Sequence, residues 1–185
     1  IMEVVTVDEV KGCDLLFSAL DGTTAALVEP RLAAAGNTVV SNASALRMNP
    51  EVPLVVPEVN PGHLDLVRSG IGGCVVTNPN CATVGLALAL KPLVDNFGVE
   101  AVDLTTLQAV SGAGYPGIPA MDLLGNVIPH IGGEAEKLEE EPGKIFGELR
   151  GSAIEPSNIP ISAQVTRVPV IEGHLRCVSV KRVRP

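Results

Sequence analysis

The stretch that decides the fold is VVTNPNCATVGLALALKPL, residues 75–93, in which an apolar run leads through a turn into a segment rich in Ala and Leu. The apolar run ends at Val76, and the Thr-Asn-Pro-Asn sequence of residues 77–80 is typical of a tight turn. From Cys81 to Pro92 the composition predicts a helix. The stretch therefore predicts a strand, a turn and a helix, with a cysteine in the first turn of that helix.

Two interpretations of Cys81 are open from its position alone. A thiol in the first turn of a helix faces unpaired backbone N–H groups and the positive end of the helix dipole, and both stabilise a thiolate. Free cysteine is also among the most buried residue types, which allows a plain core thiol. The position favours a nucleophile without deciding the matter, so partner residues must come from elsewhere in the chain.

Ahead of this stretch, short apolar runs alternate with a helical pattern. Such alternation predicts a parallel sheet with crossover connections, and the ligands of such sheets lie at the carboxyl ends of the strands. The residues that fall at those ends are Ser18, Ser41, Asn42 and Cys81. The predicted elements are a buried strand at 13–20, a helix at 23–36 with a kink or restart at Pro30, a strand and then a loop within 37–44, a strand-like segment at 52–60 whose prolines suggest an edge or an end, a short helix at 62–70 and a strand at 72–78.

After Lys91 the pattern changes, because strands follow one another without regular crossovers. This grouping predicts a second domain with a largely antiparallel sheet, and we place the boundary at Cys81. The predicted elements are a strand at 99–110, a Gly/Pro loop at 111–119, a charged amphipathic helix at 132–149 interrupted near Pro142, and two strands within 161–183 that flank a turn at Glu172 and Gly173.

Composition limits the possible classes of protein. The chain has 185 residues, of which 46% are hydrophobic and 18% charged, so a globular core is expected; with no Trp, one Tyr and three Phe this core must be aliphatic. The net charge of −8 argues against a nucleic-acid partner. No apolar stretch approaches the ~20 residues of a membrane span, so no membrane partner is expected. The start lacks a basic region followed by an apolar core, so no signal peptide is expected.

The four cysteines favour a reduced, cytoplasmic protein. Cys13, Cys74 and Cys177 each adjoin a run rich in Val or Leu, which predicts core thiols. No C-x-x-C pair occurs, so no metal site is expected. The chain starts with Ile ahead of Met and ends directly after an apparent strand, and both ends indicate cuts through a larger protein.

Three polar residues in apolar strand contexts are candidate partners for Cys81: Gln108, Arg167 and His174. A thiolate that acts on an acyl compound needs an acid/base group, an anion holder and an oxyanion donor. These residues can fill those roles, yet spacing alone favours a turn-capping His174 and a solvated Arg167. No G-x-G-x-x-G follows a strand, although a full dinucleotide fold keeps its pyrophosphate loop after the first strand.

Four segments resemble the aspartate-semialdehyde dehydrogenase family, in order and over nearly the whole chain. They are SNASALRMNPEVPLVVPEVNP (41–61), TNPNCATVGLALALKPL (77–93), TLQAVSGAGYPGIPAMDLLGNVIPHIGGEAEK (106–137) and RVPVIEGHLRCVSV (167–180). The N-P-N-C form and the S-G-A-G-Y-P-G loop resemble the archaeal and fungal branch. In this family NADPH reduces L-aspartyl 4-phosphate to L-aspartate 4-semialdehyde and phosphate is released.

The resemblance implies an α/β fold in two parts. A partial Rossmann-like dinucleotide-binding domain without its phosphate loop would span residues 1–80, and a partial α+β catalytic and dimerisation domain would span residues 81–185. It also implies NADP as cofactor and a homodimer or homotetramer. The family is roughly twice this length, so the chain matches the middle of the enzyme.

Residue roles follow from the matching motifs. Cys81 would be the nucleophile that forms a thioacyl enzyme, His174 the acid/base, and Gln108 the residue that orients the intermediate. The substrate-binding residues implied are Arg167 for the carboxylate, Glu134 and Lys137 of an E-x-x-K pattern for the amine and phosphate, Arg47 for the phosphate, and Asn80. The cofactor-binding residues implied are Ser18, Ala19, Leu20, Ser41, Asn42, Ser111 and Gly112.

Plainer interpretations stand beside these roles. Glu134 and Lys137 also fit an i,i+3 surface pair, Arg47 a solvated loop residue, and Gly112 a turn. The alternative functions are an N-acetylglutamyl-phosphate reductase, an inactive piece that serves only in folding or interaction, and a cysteine acyl hydrolase that needs no nicotinamide. The NPNCATVGL and E-A-E-K segments favour aspartate-semialdehyde dehydrogenase over N-acetylglutamyl-phosphate reductase.

Overall fold

The computed structural model describes residues 7, 9–10, 12–68 and 72–183, which form two main sheets and the helices that cover them. The helices and strands are, in chain order, β1 (Leu15–Ser18), α1 (Gly22–Ala34), β2 (Thr38–Ser41), α2 (Asp65–Arg68), β3 (Cys74–Thr77), α3 (Cys81–Phe97), β4 (Val99–Gln108), α4 (Ala120–Leu123), α5 (Glu134–Ile145), β5 (Glu148–Arg150), β6 (Ala153–Glu155), β7 (Ile161–Arg167) and β8 (His174–Arg182).

The first sheet is parallel, in the order β1-β2-β3, which confirms the crossover pattern predicted from the sequence. Its first crossover helix, α1, begins at the N-cap Asp21, whose carboxylate accepts hydrogen bonds from the next backbone N–H groups. The helix runs through Pro30 without a restart, and Gly36 follows its end with a φ of 98°. The three strands are four residues long, and their last residues, Ser18, Ser41 and Thr77, are in register, so the strands end together at one edge of the sheet.

Several predicted elements differ in detail. β1 is half-exposed rather than buried, with Phe17 81% exposed, because among the described residues it pairs only with β2. Residues 52–60 form no strand and contribute one isolated bridge, between Leu54 and Thr77, since prolines break the hydrogen-bond ladder there.

Two helices continue through prolines at which the sequence predicted an end or an interruption. α3 passes Pro92 and reaches Phe97, because Leu93 and Val94 continue its apolar face against the core. α5 runs without a break through Pro142, and its last turn is buried. Tertiary packing outweighs the lost backbone hydrogen bond at both sites.

The second main sheet is mixed, in the order β7-β4-β8. β4 pairs in parallel with β7 and antiparallel with β8, so the segment between β7 and β8 crosses the end of β4 and does not form a hairpin. Gln108 is the register partner of both Arg167 and His174. The three polar residues singled out in the sequence therefore lie in one row at one end of this sheet.

An aliphatic core joins the helices to this sheet, as the composition predicts. Ala82, Leu86 and Leu90 of α3 pack with buried side chains of β4, β7 and α5. α3, which starts at the carboxyl edge of the first sheet, is thus anchored on the second. The division into domains at residues 80 and 81 stays a prediction.

The cysteines are free thiols. The prediction of core thiols is wrong for Cys13 and Cys177, which are exposed, while Cys74 is half-buried. Cys177 lies beside Thr105 on the face of the second sheet that α3 and α5 do not cover, which explains its exposure. In the part of the chain that the structure describes, no helix has the length and apolarity needed to cross a membrane.

The ammonium group of Lys144 on α5 ties the loop after β2 to the rest of the fold. It is 1% exposed and donates to the carbonyl oxygens of Arg47, Asn49 and Val52 at 2.5, 2.6 and 2.6 Å. Burial lowers the pKa of Lys144 to about 8, so the group is still protonated near neutral pH and has three N–H bonds to donate.

His63 is buried, although its sequence context PGHLDL, residues 61–66, predicts a surface histidine. Its Nδ1 lies 2.9 Å from Asn60 Nδ2 and its Nε2 lies 3.1 Å from the carbonyl oxygen of Gly147. Nδ1 therefore accepts from the amide and Nε2–H donates to the carbonyl, which defines a neutral ring. Desolvation lowers the pKa of His63, the nearby charge of Lys144 acts in the same direction, and the Gly147 carbonyl opposes them.

We expect His63 to make the fold sensitive to mild acid. Its pKa is lower in the folded than in the unfolded state, so its contribution is complete above the unfolded value of about 6.5 and is lost as the pH falls through 6.5 towards the folded value. Urea unfolding of full-length protein across this range should show a smaller pH slope for His63→Gln than for the wild type. The exposed His130→Gln variant is the control, and an unchanged slope in His63→Gln would contradict the assignment.

Candidate active site

Cys81 lies where the sequence predicted it, in the first turn of a helix that follows a strand end and a turn. Asn80 is the N-cap of α3, and its Oδ1 accepts a hydrogen bond from the Ala82 N–H at 2.9 Å. The turn is tied to the neighbouring strand, because Asn78 N–H donates to the Ser41 carbonyl at 3.0 Å. The exposed thiol therefore projects from a fixed helix start at the carboxyl edge of the first sheet.

The imidazole of His174 faces this thiol. Cys81 Sγ lies 3.7 Å from His174 Nε2, although the two residues are 93 apart in sequence. On its other side, His174 Nδ1 lies 3.2 Å from the Ala109 N–H nitrogen and 2.8 Å from the Gly173 carbonyl oxygen. The backbone thus holds the ring through Nδ1, which leaves Nε2 for the sulfur.

Arg167 is buried, in contrast to the solvated residue that spacing alone favours. Its Nη1 donates to the Ala109 carbonyl at 2.6 Å, and its Nε is buried with no hydrogen-bond partner among the described residues. Gln108, next in the row, is also buried, and among the described residues its side chain has one weak hydrogen bond, to Thr106 Oγ1 at 3.5 Å. Both side chains therefore keep hydrogen-bonding capacity for a ligand.

Gly112 packs directly on this row. A Cβ atom there would lie 2.8 Å from His174 Cε1 and 2.9 Å from Arg167 Nη1, which is closer than real Cβ atoms approach. The absence of a side chain at residue 112 is therefore a condition for the positions of both the imidazole and the guanidinium, beyond the turn geometry considered from sequence.

Replacing Gly112 with Ala should displace His174 from the thiol. We expect iodoacetamide to alkylate Cys81 roughly tenfold more slowly near neutral pH, because the imidazole no longer supports the thiolate. Peptide mapping of labelled full-length protein measures the rate. Gly62→Ala is the matched control, since a Cβ there meets no atom within 4 Å and the residue lies outside the cleft. Equal rates in the two variants would show that the contact at residue 112 is unimportant.

Glu134 and Lys137 form the i,i+3 pair predicted from the sequence, with Lys137 Nζ 2.6 Å from Glu134 Oε1. Glu134 also reaches the site, because its Oε2 accepts from Asn80 Nδ2 at 2.9 Å. Burial acts to raise the pKa of Glu134, but the hydrogen bonds from Lys137 and Asn80 and the charges of Lys137 and Arg167 outweigh it, so this pKa is lowered. Glu134 is therefore a carboxylate at neutral pH.

Arg47 is buried rather than solvated, and it faces a carboxylate that the sequence analysis missed. Glu141 Oε1 accepts from Arg47 Nη1 at 2.8 Å, and Glu141 Oε2 accepts from the Asn80 backbone N–H at 2.8 Å. Arg47 Nη2 donates to the Asn42 carbonyl at 2.8 Å. Helical spacing was the signal for this residue, since Glu141 lies two turns after Glu134 on the same face of α5.

The residues expected to contact a cofactor lie in two places. Ser18 and Asn42 lie at the carboxyl ends of β1 and β2, where Asn42 Oδ1 accepts from Asn78 Nδ2 at 2.9 Å and Ser18 Oγ is buried without a partner among the described residues. Ser41 is fully buried, and its hydroxyl is committed to Glu29 Oε1 at 2.6 Å. Ala19 and Leu20 are exposed, and Ser111 and Gly112 belong to the turn over His174.

A cleft of about 390 Å³ opens beside this row. It brings one fixed cation, Arg167, and one carboxylate, Glu134, to the same space. Such a pair complements a zwitterionic amino acid, which carries a carboxylate and an ammonium group. Across the described residues, no cluster of His, Cys, Asp and Glu suits a metal ion. The lining residues are Gly112, Ala113, Gly117, Ile118, Ile128, His130, Ile131, Gly132, Glu134 and Arg167.

Comparison with known families accounts for most of the chain. The model of the semialdehyde dehydrogenase dimerisation domain matches residues 90–185, more than half of the chain, and the model of the semialdehyde dehydrogenase NAD binding domain matches residues 1–67. The chain belongs to the semialdehyde dehydrogenase family. The resemblance found in the sequence motifs is thus confirmed.

Individual semialdehyde dehydrogenases agree with this membership. The aspartate-semialdehyde dehydrogenases of Methanothermobacter thermautotrophicus and Archaeoglobus fulgidus are 49% and 51% identical over 97% and 91% of this chain, and that of Schizosaccharomyces pombe is 44% identical over 94%. These matches cover 54%, 50% and 51% of the relatives, so the chain spans about half the length of the curated relatives it matches.

A solved semialdehyde dehydrogenase shares the fold. The crystal structure of the Candida albicans aspartate-semialdehyde dehydrogenase with NADP superposes with a TM-score of 0.85 at 42% identity, over 94% of this chain and 51% of that one. Aspartate-semialdehyde dehydrogenase II of Vibrio cholerae, solved in complex with ASA, gives a TM-score of 0.79 at 31% identity, over 92% of this chain and 56% of that one. These superpositions confirm the predicted α/β architecture of a parallel sheet followed by a second sheet.

Proposed function

We propose that the full-length protein is an NADP-dependent aspartate-semialdehyde dehydrogenase, which reduces L-aspartyl 4-phosphate to L-aspartate 4-semialdehyde and phosphate. The contact that carries this proposal is the 3.7 Å approach of His174 Nε2 to Cys81 Sγ, at the edge of a cleft that holds Arg167 and Glu134. The names of the relatives, and the titles of the structures with NADP and ASA, support the same activity.

Cys81 begins the reaction as the nucleophile. Its thiolate attacks the acyl carbon, the C–O bond to phosphate breaks, and a thioester forms on Sγ as phosphate leaves. Backbone N–H groups at the start of α3, with Gln108, would hold the oxyanion. NADPH, when bound, supplies the hydride that reduces the thioester.

His174 serves the step that follows. Negative charge gathers on the thiohemiacetal oxygen, and collapse to the aldehyde expels the Cys81 thiolate. An imidazolium with its proton at Nε2 stabilises this leaving group. In the reverse direction the neutral imidazole takes the thiol proton as Cys81 attacks the aldehyde. The backbone contacts at Nδ1 fix the ring for this proton transfer.

The charged groups of the cleft suit the aspartyl moiety. Arg167 would pair with the α-carboxylate and Glu134 with the α-ammonium, while Lys137 adds a cation for the phosphate. An N-acetylated acyl phosphate has no ammonium for Glu134, so this carboxylate favours the aspartyl substrate over acetylglutamyl phosphate. The phosphate contact of Arg47 stays a prediction. Both of its Nη atoms already donate to protein oxygens, those of Glu141 and Asn42, which leaves less capacity for a phosphate.

The nucleotide would lie at the carboxyl edge of the first sheet. The buried hydroxyl of Ser18, which has no partner among the described residues, can donate a hydrogen bond to a ligand there, and Asn42 lies beside it after the end of β2. Ser111 and Gly112 would contact the nucleotide next to His174. Ser41 would act through the loop that it anchors, since its own hydroxyl is used by Glu29.

The proposal includes a homodimer or homotetramer in the cytoplasm. The dimerisation-domain match covers residues 90–185, and large apolar side chains are exposed there, which a second copy would cover. The unpaired thiols fit a reducing compartment. These exposed side chains include Met121, Leu124, Ile171 and Leu175.

Replacing His174 with Asn should lower kcat by about 10²–10⁴-fold, because the acid/base group is lost. The assay is phosphate-dependent reduction of NADP by aspartate semialdehyde in full-length protein, and one limb of the pH–rate profile should disappear. Arg182→Gln, at an exposed position at the other end of the same strand, is the control. Thioester turnover without NADP would instead support a cysteine acyl hydrolase. Failure to bind NADPH would support an inactive piece that serves only in folding or interaction.

Replacing Arg167 with Lys should raise KM for aspartate semialdehyde about tenfold or more, with a smaller effect on kcat. Lysine keeps the charge but loses the planar fork that pairs with a carboxylate. Arg150→Lys, at an exposed position on β5, is the matched control. An unchanged KM would remove Arg167 from carboxylate recognition.

A further inference from the structure

The guanidinium of Arg176 contacts the backbone of the nucleophile. Arg176 lies on β8 two residues after His174, so both side chains leave the same face of the strand. Its Nη2 donates to the carbonyl oxygen of Cys81 at 3.1 Å. No carboxylate among the described residues forms an ion pair with it, and its Nε is buried without a hydrogen-bond partner there. An ordinary salt bridge therefore does not explain its position.

Gly85 makes room for this contact. It lies one turn after Cys81 on α3, and a Cβ atom there would lie 2.8 Å from Arg176 Nη1 and 2.9 Å from Arg176 Cζ. The guanidinium thus occupies a notch that only glycine leaves open. The Cys81 carbonyl can accept both this donor and the usual helical N–H, because a carbonyl oxygen has two lone pairs.

One strand therefore holds Cys81 at two points. His174 meets its sulfur at 3.7 Å, and Arg176 meets its carbonyl at 3.1 Å. We propose that Arg176 is a positioning residue, which fixes the first turn of α3 on β8 and so keeps the thiol within reach of the imidazole. This inference rests on the proposed function, in which Cys81 and His174 are the reacting pair.

Other charged groups surround the same helix start. Glu134 and Glu141 of α5 reach it through Asn80, and Arg167 of β7 lies in the row with His174. None of them contacts the Cys81 carbonyl in the described structure, which leaves Arg176 as the side chain with that task. The test must therefore separate a general effect of positive charge from a contact that works through His174.

The experiment measures alkylation of Cys81 by iodoacetamide in full-length protein across about pH 5–8, the range in which imidazole titrates. Arg176→Gln is compared with Arg182→Gln, which removes the same charge from the same strand at a site where the guanidinium stacks on Phe97. Both changes are repeated in a His174→Asn background. Gly85→Ala is the second variant, because it displaces the guanidinium while keeping its charge and adds a better helix former.

We expect Arg176→Gln and Gly85→Ala to slow alkylation of Cys81 by about tenfold near neutral pH, which is of the order that the loss of one charge-assisted hydrogen bond produces. Arg182→Gln should leave the alkylation rate unchanged. In the His174→Asn background neither change should slow the reaction further. Arg176→Lys should restore only part of the rate, since it keeps the charge and loses the fork.

Three results would overturn the inference. Wild-type alkylation rates in Arg176→Gln and Gly85→Ala would show that the contact between Arg176 and the Cys81 carbonyl does not position the thiol. An equal loss with and without His174 would show that Arg176 acts by charge alone. If His174→Asn itself leaves the alkylation rate unchanged, the Cys81–His174 pair fails, and the proposed function fails with it.

Discussion

The buried carboxylate of Glu141 is the contact on which the site depends. It accepts hydrogen bonds from Arg47 in the loop after β2 and from the backbone N–H at the start of α3, so it joins three segments with one side chain. Loss of one partner from a buried pair of this kind costs about 3–5 kcal/mol, because the other charge stays uncompensated. The position of Cys81 relative to the second sheet is therefore determined by an interaction that involves neither the substrate nor the thiol. Lys144, one turn later on α5, strengthens the same junction through backbone carbonyls.

Local chemistry explains what the sequence could predict. The turn ahead of Cys81 and the start of α3 depend on neighbouring residues, and both are found as expected. Gln108, Arg167 and His174 were recognised as polar residues in apolar strands, but their common row depends on β4 lying between two strands that come much later in the chain. That pairing cannot be read from periodicity. The burial of Arg47 and His63 could not be predicted from the sequence for the same reason. Their partners, Glu141 for Arg47 and Gly147 for His63, are distant in the chain.

The site combines two kinds of support. The thiol of Cys81, the proposed nucleophile, comes from a helix that begins at the edge of the parallel sheet. The imidazole of His174 and the guanidinium of Arg167 come from strand ends of the mixed sheet. Strand ends in register hold side chains more firmly than loops do, and this suits the proposed roles of these groups, which would have to meet reacting atoms within a few tenths of an ångström. Gly85 and Gly112 contribute because they have no side chains: the guanidinium of Arg176 occupies the space beside Gly85, and the imidazole of His174 occupies the space beside Gly112.

The central place of β4 has a consequence for how the protein is made. Both edges of β4 stay unpaired during synthesis until β7 and β8 emerge near the end of the described chain, so the hydrophobic sheet depends on contacts of long sequence separation. Such contacts form slowly, and an unpaired apolar strand is a template for association with other chains. Until that pairing is complete, Cys81 and His174 belong to separate parts of a nascent polypeptide. The contact between Cys81 and His174 and the protection of β4 from association therefore depend on the same late pairing of strands.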